Sequence, residues 1–522
     1  MDKQLRTASI FSNDMVLQHG KPVPVWGSAA DGRVVRVNFR ASTYGENIFE
    51  SETKVRGGKW SLTLPPLAAG LNGELIISDG TDELRFKNVI TGDVWFAGGQ
   101  SNMELELANC KNGAAELSAC ANPDIRFYQV VKRAIVDDNY LREEVESKWQ
   151  VCAPETAAML SAAAFFFARK INKDAGIPIG IINCSWGGTS ISAWMSKEQL
   201  EKPRAGQRFI DDYAEKIGGK TDELYNAEME EYFDQWRQWD ERVCARRKKE
   251  PDVSREVLNK ECGQCPWPQP VGRTSPYCPT NLHTSRIMRT APFALKGFIY
   301  YQGEEDELRA ADYREMMFYL VQQWRDDWKD NSLPFLFVQL PMWASAEEME
   351  AGEPPRHWCL MRESQYLASL DIANTGLAVI IDCGEFDNIH PLDKQTVGYR
   401  LALQALKKVY GQDIKADAPV FSWCETQNRK LVLHFDNAES GLEFHGGMED
   451  ILASFEIAGA EGQYYPAQAE ISGSIVIVHS EKITEPHRAR YAWKKFCPTP
   501  LYAKSGLPAM PFRTERNESA DC

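Results

Sequence analysis

Between Asp93 and about residue 415, short runs of apolar residues alternate with stretches of helical character. The apolar runs include VWFAGG, DIRFYQVV, PIGIINCSWGG, LKGFIYYQGEE, LPFLFVQLPM and TGLAVIIDCGE. The stretches between them include AAMLSAAAFFFARKINKDAG, DYREMMFYLVQQWRDDWK and DKQTVGYRLALQALKKVYG. Continuous apolar strands joined by crossover helices are typical of a parallel sheet with helices on both faces. The sequence therefore predicts an α/β fold for this part of the chain.

Two segments with the pattern of β domains flank the α/β part. Residues 1–90 contain VPVWGSA, VVRVNFRAS, KWSLTLPP and ELIISDG, separated by turn residues, which predicts an N-terminal β-sandwich-like domain. Beyond about residue 416, the runs RKLVLHFDN, LASFEIAG, SIVIVHS and RARYAWKKF predict a C-terminal β domain. We therefore expect three domains, at 1–90, 91–415 and 416–522.

A charged, helix-rich insertion interrupts the α/β pattern at about residues 197–278. At its centre, Tyr232, Phe233, Trp236 and Trp239 form an apolar stripe, which predicts that the insertion packs on the main domain. Its charged residues are expected to form a solvated helix face. A lid over an active site is the alternative.

The composition narrows the possible partners. The 522 residues carry a net charge of −15, whereas nucleic acid and anionic membranes require a basic surface, so a neutral, polar small substrate fits better. No apolar run is long enough to predict a membrane span, and the N-terminal residues lack the apolar core of a signal peptide. We expect a cytoplasmic protein, or a periplasmic or secreted one if a leader was removed. The sequence does not indicate the oligomeric state.

Most of the 13 cysteines stand alone, which indicates buried free thiols. The exception is the stretch ECGQCPWPQPVGRTSPYCPTNLH, which contains Cys262, Cys265, Cys278 and His283. Their spacing is compatible with a structural zinc site, but free thiols or one disulfide in a loop are the favoured interpretation.

The stretch FAGGQSNMEL places Ser101 just after the strand VWFAGG, at the edge where parallel α/β sheets bind ligands. Ser101 could be a nucleophile, or only the N-cap of a helix. A nucleophile needs a base and a group that orients the base. In DCGEFDNIHPLDKQ, after the last strand of the same sheet, His390 and Asp387 could provide both. The alternative is that Asp387 or Asn388 only caps the next helix.

Two further strand ends offer groups that could stabilise an oxyanion. In CSWGGTSISAW, Gly187 and Gly188 follow a strand, where their N–H groups can approach a ligand closely. In YYQGEED, Gln302 offers an amide and Glu304 a buried carboxylate. The alternatives are a tight turn for the glycines and a satisfied polar core for the other two. Four polar groupings at four strand ends of one sheet together favour an acyl-transfer site.

These blocks resemble the motifs of the sialate O-acetylesterase family, which belongs to the SGNH/GDSL hydrolase superfamily. The matching blocks are GQSNM, NCSWGGTSISAW, YQGEED and DNIHPLDKQTVGYRLAL, and the flanks IFSNDMVLQHGKPVPVWG, RYAWKKF and GLPAMPFRT are similar as well. The resemblance therefore covers nearly the whole chain. It implies an SGNH-like, flavodoxin-like parallel sheet with helices on both faces, flanked by the two β domains.

The resemblance also implies the roles of individual residues. Ser101 would be the nucleophile, His390 the base and Asp387 the acid that orients it. The N–H groups of Ser101 and Gly188 would bind the oxyanion, with Gln302 as a side-chain donor. Further residues implied at the substrate-binding site are Gln100 and Glu304.

This chain departs from the family pattern at two positions of the third block and in the insertion. Tyr300 stands where the family usually has Trp, and Glu305 stands where it has a small residue, which adds charge beside the site. The cysteine-rich part of the insertion, 244–278, has no counterpart in the resemblance.

The function implied is hydrolysis of O-acetyl esters on a sugar, with 9-O-acetyl sialic acid as the first candidate, and without a metal or organic cofactor. Alternatives are an acetyl esterase for xylan or another polysaccharide, and a non-catalytic glycan-binding protein. A glycosidase that uses Glu304 would leave Ser101 and His390 unexplained.

Overall fold

The computed structural model describes residues 4–42, 47–250, 253, 255–352 and 356–515. Its N-terminal part consists of short strands that form two sheets, one with the order β1-β3-β6 and one in which β4 pairs with β5 and β7. These strands are β1 (Arg6–Thr7), β2 (Val16–Gln18), β3 (Val23–Ser28), β4 (Val34–Ala41), β5 (Asn47–Lys54), β6 (Lys59–Leu64) and β7 (Asn72–Ser78). Strands β4 and β6 bury every second residue, as expected for strands with one face on a core.

A single long strand connects the N-terminal sheets to the central sheet. This strand, β8 (Glu83–Gly99), is 17 residues long. Its first part pairs with β7 and β2, and from Asp93 onward it pairs with strands of the α/β region. The predicted domain boundary at residue 90 therefore lies inside a continuous strand.

Six parallel strands form the middle of the central sheet. The order is β10-β9-β11-β8-β12-β13-β14, and only β10 at one edge runs antiparallel to its neighbour. Since β10 and the N-terminal strands also join this sheet, it is mixed and not purely parallel. Its remaining strands are β9 (Asn122–Gln129), β10 (Trp149–Cys152), β11 (Ile179–Ser185), β12 (Gly297–Tyr301), β13 (Phe335–Gln339) and β14 (Thr375–Val379).

Helices cover both faces of the central sheet. Trp95 and Phe96 are neighbours on β8 and therefore point to opposite faces. The Trp95 ring packs against Phe167, whereas the Phe96 ring packs against Trp324 and Trp328. Strands β11, β12, β13 and β14 are buried along their whole length, which explains their continuous apolar sequences.

The helices of the α/β region vary widely in length. They are α1 (Ser101–Glu104), α2 (Gly113–Ser118), α3 (Asp138–Glu146), α4 (Ala162–Ala175), α5 (Lys197–Leu200), α6 (Gly206–Ile217), α7 (Asp222–Lys249), α8 (Arg255–Cys262), α9 (Met288–Thr290), α10 (Ala310–Asp327), α11 (Ala346–Glu350), α12 (His357–Asp371) and α13 (Lys394–Lys408). A π-helical turn, His283–Ile287, precedes α9, and short 3-10 turns include Glu304–Arg309 and Ile381–Cys383.

The insertion is helical, as predicted, and consists mainly of α6, α7 and α8. The predicted apolar stripe is only partly buried, since Tyr232 and Trp239 are buried whereas Phe233 and Trp236 are exposed. Trp239 packs with α8 residues in a small core of its own, separate from the main core. The expectation that the whole stripe faces the main domain is therefore wrong for Phe233 and Trp236.

The described residues of the C-terminal part form β-strands and the helix α14 (Met448–Ser454). The sheets have the orders β15-β16-β21-β20, β17-β23 and β19-β18-β22-β24. The strands are β15 (Val420–Gln427), β16 (Lys430–Asp436), β17 (Leu442–Phe444), β18 (Phe455–Ala458), β19 (Tyr464–Pro466), β20 (Gln468–Ser472), β21 (Ile475–His479), β22 (Arg488–Tyr491), β23 (Leu501–Ala503) and β24 (Phe512–Arg513). None of the helices in the described part of the chain has the length and apolar character needed to cross a membrane.

Candidate active site

Three strands of the central sheet end level with one another. Gly99, the last residue of β8, pairs with Ser185 of β11 on one side and with Tyr301 of β12 on the other. The chain segments that follow these strands are held together by backbone hydrogen bonds, from Trp186 N to Gly99 O (3.0 Å) and from Gln100 N to Tyr301 O (3.0 Å). The segments that carry the predicted site residues therefore start at one edge of the sheet.

Ser101 and His390 are in direct contact at this edge. The Ser101 Oγ and the His390 Nε2 lie 2.8 Å apart, although the two residues are far apart in the sequence. Helix α1 begins at Ser101, and Gln100 occupies the N-cap position, so the serine hydroxyl is not used as a helix cap. The interpretation of Ser101 as a simple N-cap is therefore wrong. A hydroxyl hydrogen-bonded to an imidazole is the arrangement from which a serine nucleophile can be activated.

Asp387 lies on the same loop as His390, after β14. Its backbone has a positive φ of 55°, and its Oδ1 accepts a hydrogen bond from Ala346 N (3.0 Å) at the start of α11. The next helix, α13, is capped by Asp393, whose side chain accepts from Thr396 N (3.0 Å). The alternative in which Asp387 caps this helix is therefore wrong.

Asn388 does not cap α13 either, because its side chain holds the backbone of His390. The Asn388 Oδ1 accepts from His390 N (3.1 Å), and the Asn388 Nδ2 donates to His390 O (3.0 Å). The same Nδ2 donates to the Glu385 carboxylate at 2.7 Å. These bonds fix the turn from which the imidazole projects.

Asn102 connects helix α1, which begins at Ser101, to the loop that carries His390. The sequence did not predict this role. This buried side chain donates through its Nδ2 to Ile389 O (2.9 Å), next to His390, and to Glu304 Oε1 (2.6 Å). Its Oδ1 accepts from Lys394 Nζ (2.6 Å). All three partners belong to the quoted motif blocks, so the sequence placed them near the site. Only the fold shows that they meet at Asn102.

Glu304 and Lys394 form a buried acid–base pair bridged by Asn102. Lys394 has no exposed surface, and desolvation lowers its pKa to about 8, against the attraction of Glu304. Desolvation raises the pKa of Glu304, and the hydrogen bond from Asn102 opposes this rise. Both groups contact Asn102, the residue after Ser101, and are expected to position the start of α1 rather than to react with a substrate.

Gly187 lies directly beside Ser101, and Gly188 follows it under the ring of Trp267. A side-chain carbon added to Gly187 would stand 3.2 Å from the Ser101 Cβ, so a larger residue here would press against the serine. Gly187 N donates to Glu104 Oε2 (2.6 Å), a contact that the sequence reasoning did not anticipate. Gly188 has φ +69°, and among the described residues neither its N–H nor that of Ser101 donates a hydrogen bond. Both N–H groups are therefore unused by the described part of the protein, and their role as oxyanion donors stays a prediction.

Gln302 is placed differently from the expectation. Its Nε2 donates to Thr189 O (3.1 Å) and to Asp306 Oδ2 (2.7 Å), and its Oε1 accepts from the Tyr313 hydroxyl (2.7 Å). Both N–H groups of the amide are thus used inside the core, which corrects the expectation of a side-chain oxyanion donor. The alternative, a satisfied polar core, describes Gln302 better.

Gln100 also has a structural role in this arrangement. Its side chain is buried, and its Oε1 accepts from Gly303 N and from Glu305 N, both at 3.3 Å. It thereby fixes the segment after β12 against the start of α1.

The four zinc candidates do not come together. His283 Nε2 lies 2.9 Å from Asp327 Oδ2, and Cys262 packs into the small core of the insertion. In the part of the chain that the structure describes, no group of three or more His, Cys, Asp or Glu side chains is arranged to hold a metal ion. Cys278 is a half-buried free thiol, and Cys265 is half-buried as well.

Comparison with known proteins identifies the family of the chain. The family described as "Carbohydrate esterase, sialic acid-specific acetylesterase" matches residues 91–232 and 272–407, which is more than half of the chain and includes every motif block at the sheet edge. The chain belongs to this family. It is therefore a carbohydrate O-acetylesterase, a hydrolase of the esterase class.

Individual relatives resemble the chain over most of its length. The sialate O-acetylesterase of Mus musculus is 28% identical, over 97% of this chain and 94% of that protein. The sialate O-acetylesterase of Homo sapiens is 27% identical, over 78% of this chain and 71% of that protein. The crystal structure of a carbohydrate acetylesterase from Xanthomonas citri superposes with a TM-score of 0.75 at 30% identity and covers 98% of this chain and 99% of that one.

Proposed function

We propose that the protein removes O-acetyl groups from sialic acids by a mechanism in which Ser101 is the nucleophile, His390 the base and Asp387 the group that orients His390. The contact of 2.8 Å between Ser101 Oγ and His390 Nε2 is the observation that carries the proposal. The similarity to curated sialate O-acetylesterases supports the choice of substrate.

The proposed reaction has two steps. Ser101 Oγ attacks the carbonyl carbon of the acetyl ester while its proton passes to His390 Nε2, and the same proton then goes to the departing sugar oxygen. Water next attacks the acetyl-enzyme, with His390 again accepting a proton and returning it to Ser101 as acetate leaves. The N–H groups of Ser101 and Gly188 are the proposed donors to the negatively charged oxygen in both steps.

Asp387 is proposed as the orienting acid because the family resemblance implies this role, and because the nearby carboxylates Asp382 and Glu385 have other partners. Asp382 pairs with the Arg400 guanidinium, which holds the pKa of its carboxyl below the ordinary value despite burial. Glu385 accepts from Asn388 Nδ2 and from Leu392 N. A carboxylate in the position of Asp387 would select the tautomer in which His390 Nε2 can accept the serine proton.

The strand order supports an SGNH-like architecture. Five parallel strands, in the spatial order β11-β8-β12-β13-β14, follow the flavodoxin-like order in which the first strand lies between the second and the third. In this description β9 and β10 extend one edge of the sheet.

The first test replaces the nucleophile. We expect Ser101→Ala to lower kcat on 4-nitrophenyl acetate by a factor of about 10⁴ or more with unchanged far-UV circular dichroism. A fluorophosphonate should label the wild-type protein at Ser101 and leave the variant unlabelled. Substantial turnover by a folded Ser101→Ala protein would refute the mechanism, and a lack of labelling would favour a non-catalytic glycan-binding protein.

The second test concerns the substrate. Acetate release from 9-O-acetyl N-acetylneuraminic acid is compared with release from acetylated xylo-oligosaccharides, using wild-type protein and Ser101→Ala as the blank. We expect the higher kcat/KM on the sialic acid. The reverse order would assign the protein to the acetyl esterases of plant polysaccharides.

A further inference from the structure

A large cavity lies between the insertion and the edge of the sheet that carries Ser101. Its volume is about 650 Å³, within the range of about 300–1,000 Å³ that small-molecule sites occupy. The insertion side contributes aromatic and proline side chains, among them Tyr213, Tyr232 and Trp267, whereas Gly188 and Glu305 line the cavity from the segments after β11 and β12. An acetyl group would fill only a small part of this volume.

The cavity adjoins the proposed site of acyl transfer. Gly188, a proposed oxyanion donor, lines it, and Gly187 contacts Ser101. Glu305 lines it as well, and its backbone N–H donates to Gln100, the residue before Ser101. A sugar whose acetyl group lies at Ser101 would therefore have its neighbouring part in the cavity.

Trp267 is an exposed aromatic side chain in the cavity wall and lies next to Gly188. A side-chain carbon added to Gly188 would collide with its ring, so the indole lies directly over this glycine. The ring packs edge to face with Tyr277, with 6.2 Å between the centroids, but remains 58% exposed. An exposed aromatic face next to an esterase site is suited to the apolar face of a sugar ring.

The part of the wall that carries Trp267 lies outside the family match. The match stops at residue 232 and resumes at residue 272, and Trp267 to Val271 in this gap all line the cavity. The catalytic edge is thus shared with the family, whereas this wall of the cavity is supplied by residues that the family description does not cover.

The charges around the cavity nearly cancel. Its lining contains three basic and three acidic residues, namely Lys216, Lys220, Arg309, Glu228, Glu231 and Glu305. Lys220 forms an ion pair with Glu228, and Arg309 forms one with Asp212. A lining with little net charge favours hydroxyl-rich neutral sugars over an anionic one.

We propose that this cavity binds the neutral sugar residues that adjoin the acetylated sugar in a glycan, with Trp267 as the ring on which one of them stacks. The proposal rests on the esterase function proposed above and extends it from a single acetylated sugar to an oligosaccharide substrate. The polar side chains Gln235 and Gln269, which also line the cavity, are placed to bind hydroxyl groups.

The test measures equilibrium binding by calorimetry to the inactive Ser101→Ala protein, so it does not depend on turnover. Two pairs of probes are used, 3′-sialyllactose against N-acetylneuraminic acid, and xylotetraose against xylose. We expect the longer member of at least one pair to bind about tenfold or more tightly than the shorter one, and the pair shows which glycan the cavity accepts. Equal affinity within both pairs would overturn the proposal.

Variants of Trp267 in the Ser101→Ala background assign the difference to this residue. Trp267→Ala should weaken binding of the longer sugar about tenfold, and Trp267→Phe should restore most of the affinity because a ring is present again. Trp236→Ala is the matched control, since Trp236 lies in the same insertion, is also exposed and does not line the cavity. Unchanged binding by a folded Trp267→Ala protein would overturn the proposal, and so would an equal loss in Trp236→Ala.

The outcome is independent of the catalytic proposal. If Ser101→Ala retained esterase activity but the Trp267 variants lost oligosaccharide affinity, the mechanism would fail and the cavity proposal would stand. The opposite pattern, an inactive Ser101→Ala protein without any Trp267-dependent binding, would retain the mechanism and remove the cavity proposal.

Discussion

At the scale of single residues, the ammonium group of Lys394 is buried beneath the serine helix. It donates to Asn102, which in turn holds Glu304 and the backbone next to His390. A charge removed from water is costly unless it is paired and hydrogen-bonded. Burial of this charge therefore costs free energy. Its hydrogen bonds hold helix α1, which begins at Ser101, against the loop that carries His390.

We expect Lys394→Met to lower the free energy of unfolding at pH 7 by about 3 kcal/mol, because it leaves the Asn102 oxygen without its hydrogen-bond donor and the buried Glu304 without the attraction of the Lys394 charge. Lys407→Met is the control, since Lys407 lies on the same helix but pairs with Asp417 near the surface, and a change below about 1 kcal/mol is expected there. Urea unfolding of the three proteins makes the comparison.

The pH dependence of this difference can also be predicted. The pKa of Lys394 is about 8 in the folded protein and 10.5 as its ordinary value, so between these values the unfolded chain binds more protons than the folded one. The wild type should thus gain stability relative to Lys394→Met as the pH rises from 8 to 10. A difference that is constant over this range would show that Lys394 titrates normally.

The sequence could predict a site residue when its position at the end of a strand was enough to indicate it. Ser101 and His390 were identified because each follows a strand of one parallel sheet, and such strand ends meet. Asn102, Glu104 and Lys394 were not identified, since their roles consist of contacts between segments distant in sequence. For Gln302 the sequence did not predict the direction of the amide, because one of its partners, Thr189, lies in a distant segment and the fold brings the two together.

At the scale of elements, helix α7 explains why the predicted apolar stripe of the insertion is only partly buried. Its buried residues Tyr225, Tyr232 and Trp239 recur every seven positions, which keeps them on one narrow face of the helix. Phe233 and Trp236 lie beside this face and remain exposed. The aromatic composition predicted a buried stripe, but its width depended on what packs against the helix.

We expect the α7–α8 part of the insertion to open before the rest of the molecule. Its core consists of Trp239, Val243, Val253, Leu258 and Cys262, separate from the main core. Amide hydrogens there should exchange faster than those of β8 and β12, as measured by mass spectrometry. Trp239→Ala should accelerate exchange in α7 and α8 while leaving β8 and β12 unchanged, and equal protection of insertion and sheet would contradict this expectation.

At the scale of the whole molecule, one continuous core runs through all three predicted domains. It includes Leu5 near the start of the described chain, Phe96 in the central sheet and Phe512 near its end. The β, α/β, β order along the chain could be predicted from the strand and helix patterns. That these parts share a core could not, because contacts between domains leave no periodic signal in the sequence.

Lys495 links the C-terminal part of the chain to the 3-10 turn Glu304–Arg309 and to helix α11. Its buried ammonium group pairs with Glu307 (2.9 Å), shortly after Glu304, and with Glu348 of α11. We expect Lys495→Met to lower the free energy of unfolding by about 3 kcal/mol, and Lys415→Met, at an exposed pair with Glu439, to change it by less than about 1 kcal/mol. Differential scanning calorimetry measures both, and similar small changes in the two variants would refute the role of Lys495.

The long strand β8 also limits how the gene for this protein can change. Side chains alternate between the two faces of a strand, so deletion of one codon between Ile90 and Trp95 would exchange the faces of every residue on one side of the deletion. Trp95 would then face the helix that now packs against Phe96, and Phe96 the helix that now packs against Trp95. The start of helix α1, with Ser101, would change its orientation as well. The length of this strand is fixed by both sheets that it joins, whereas residues 233–271, outside the family match, include helices and loops that no sheet register constrains.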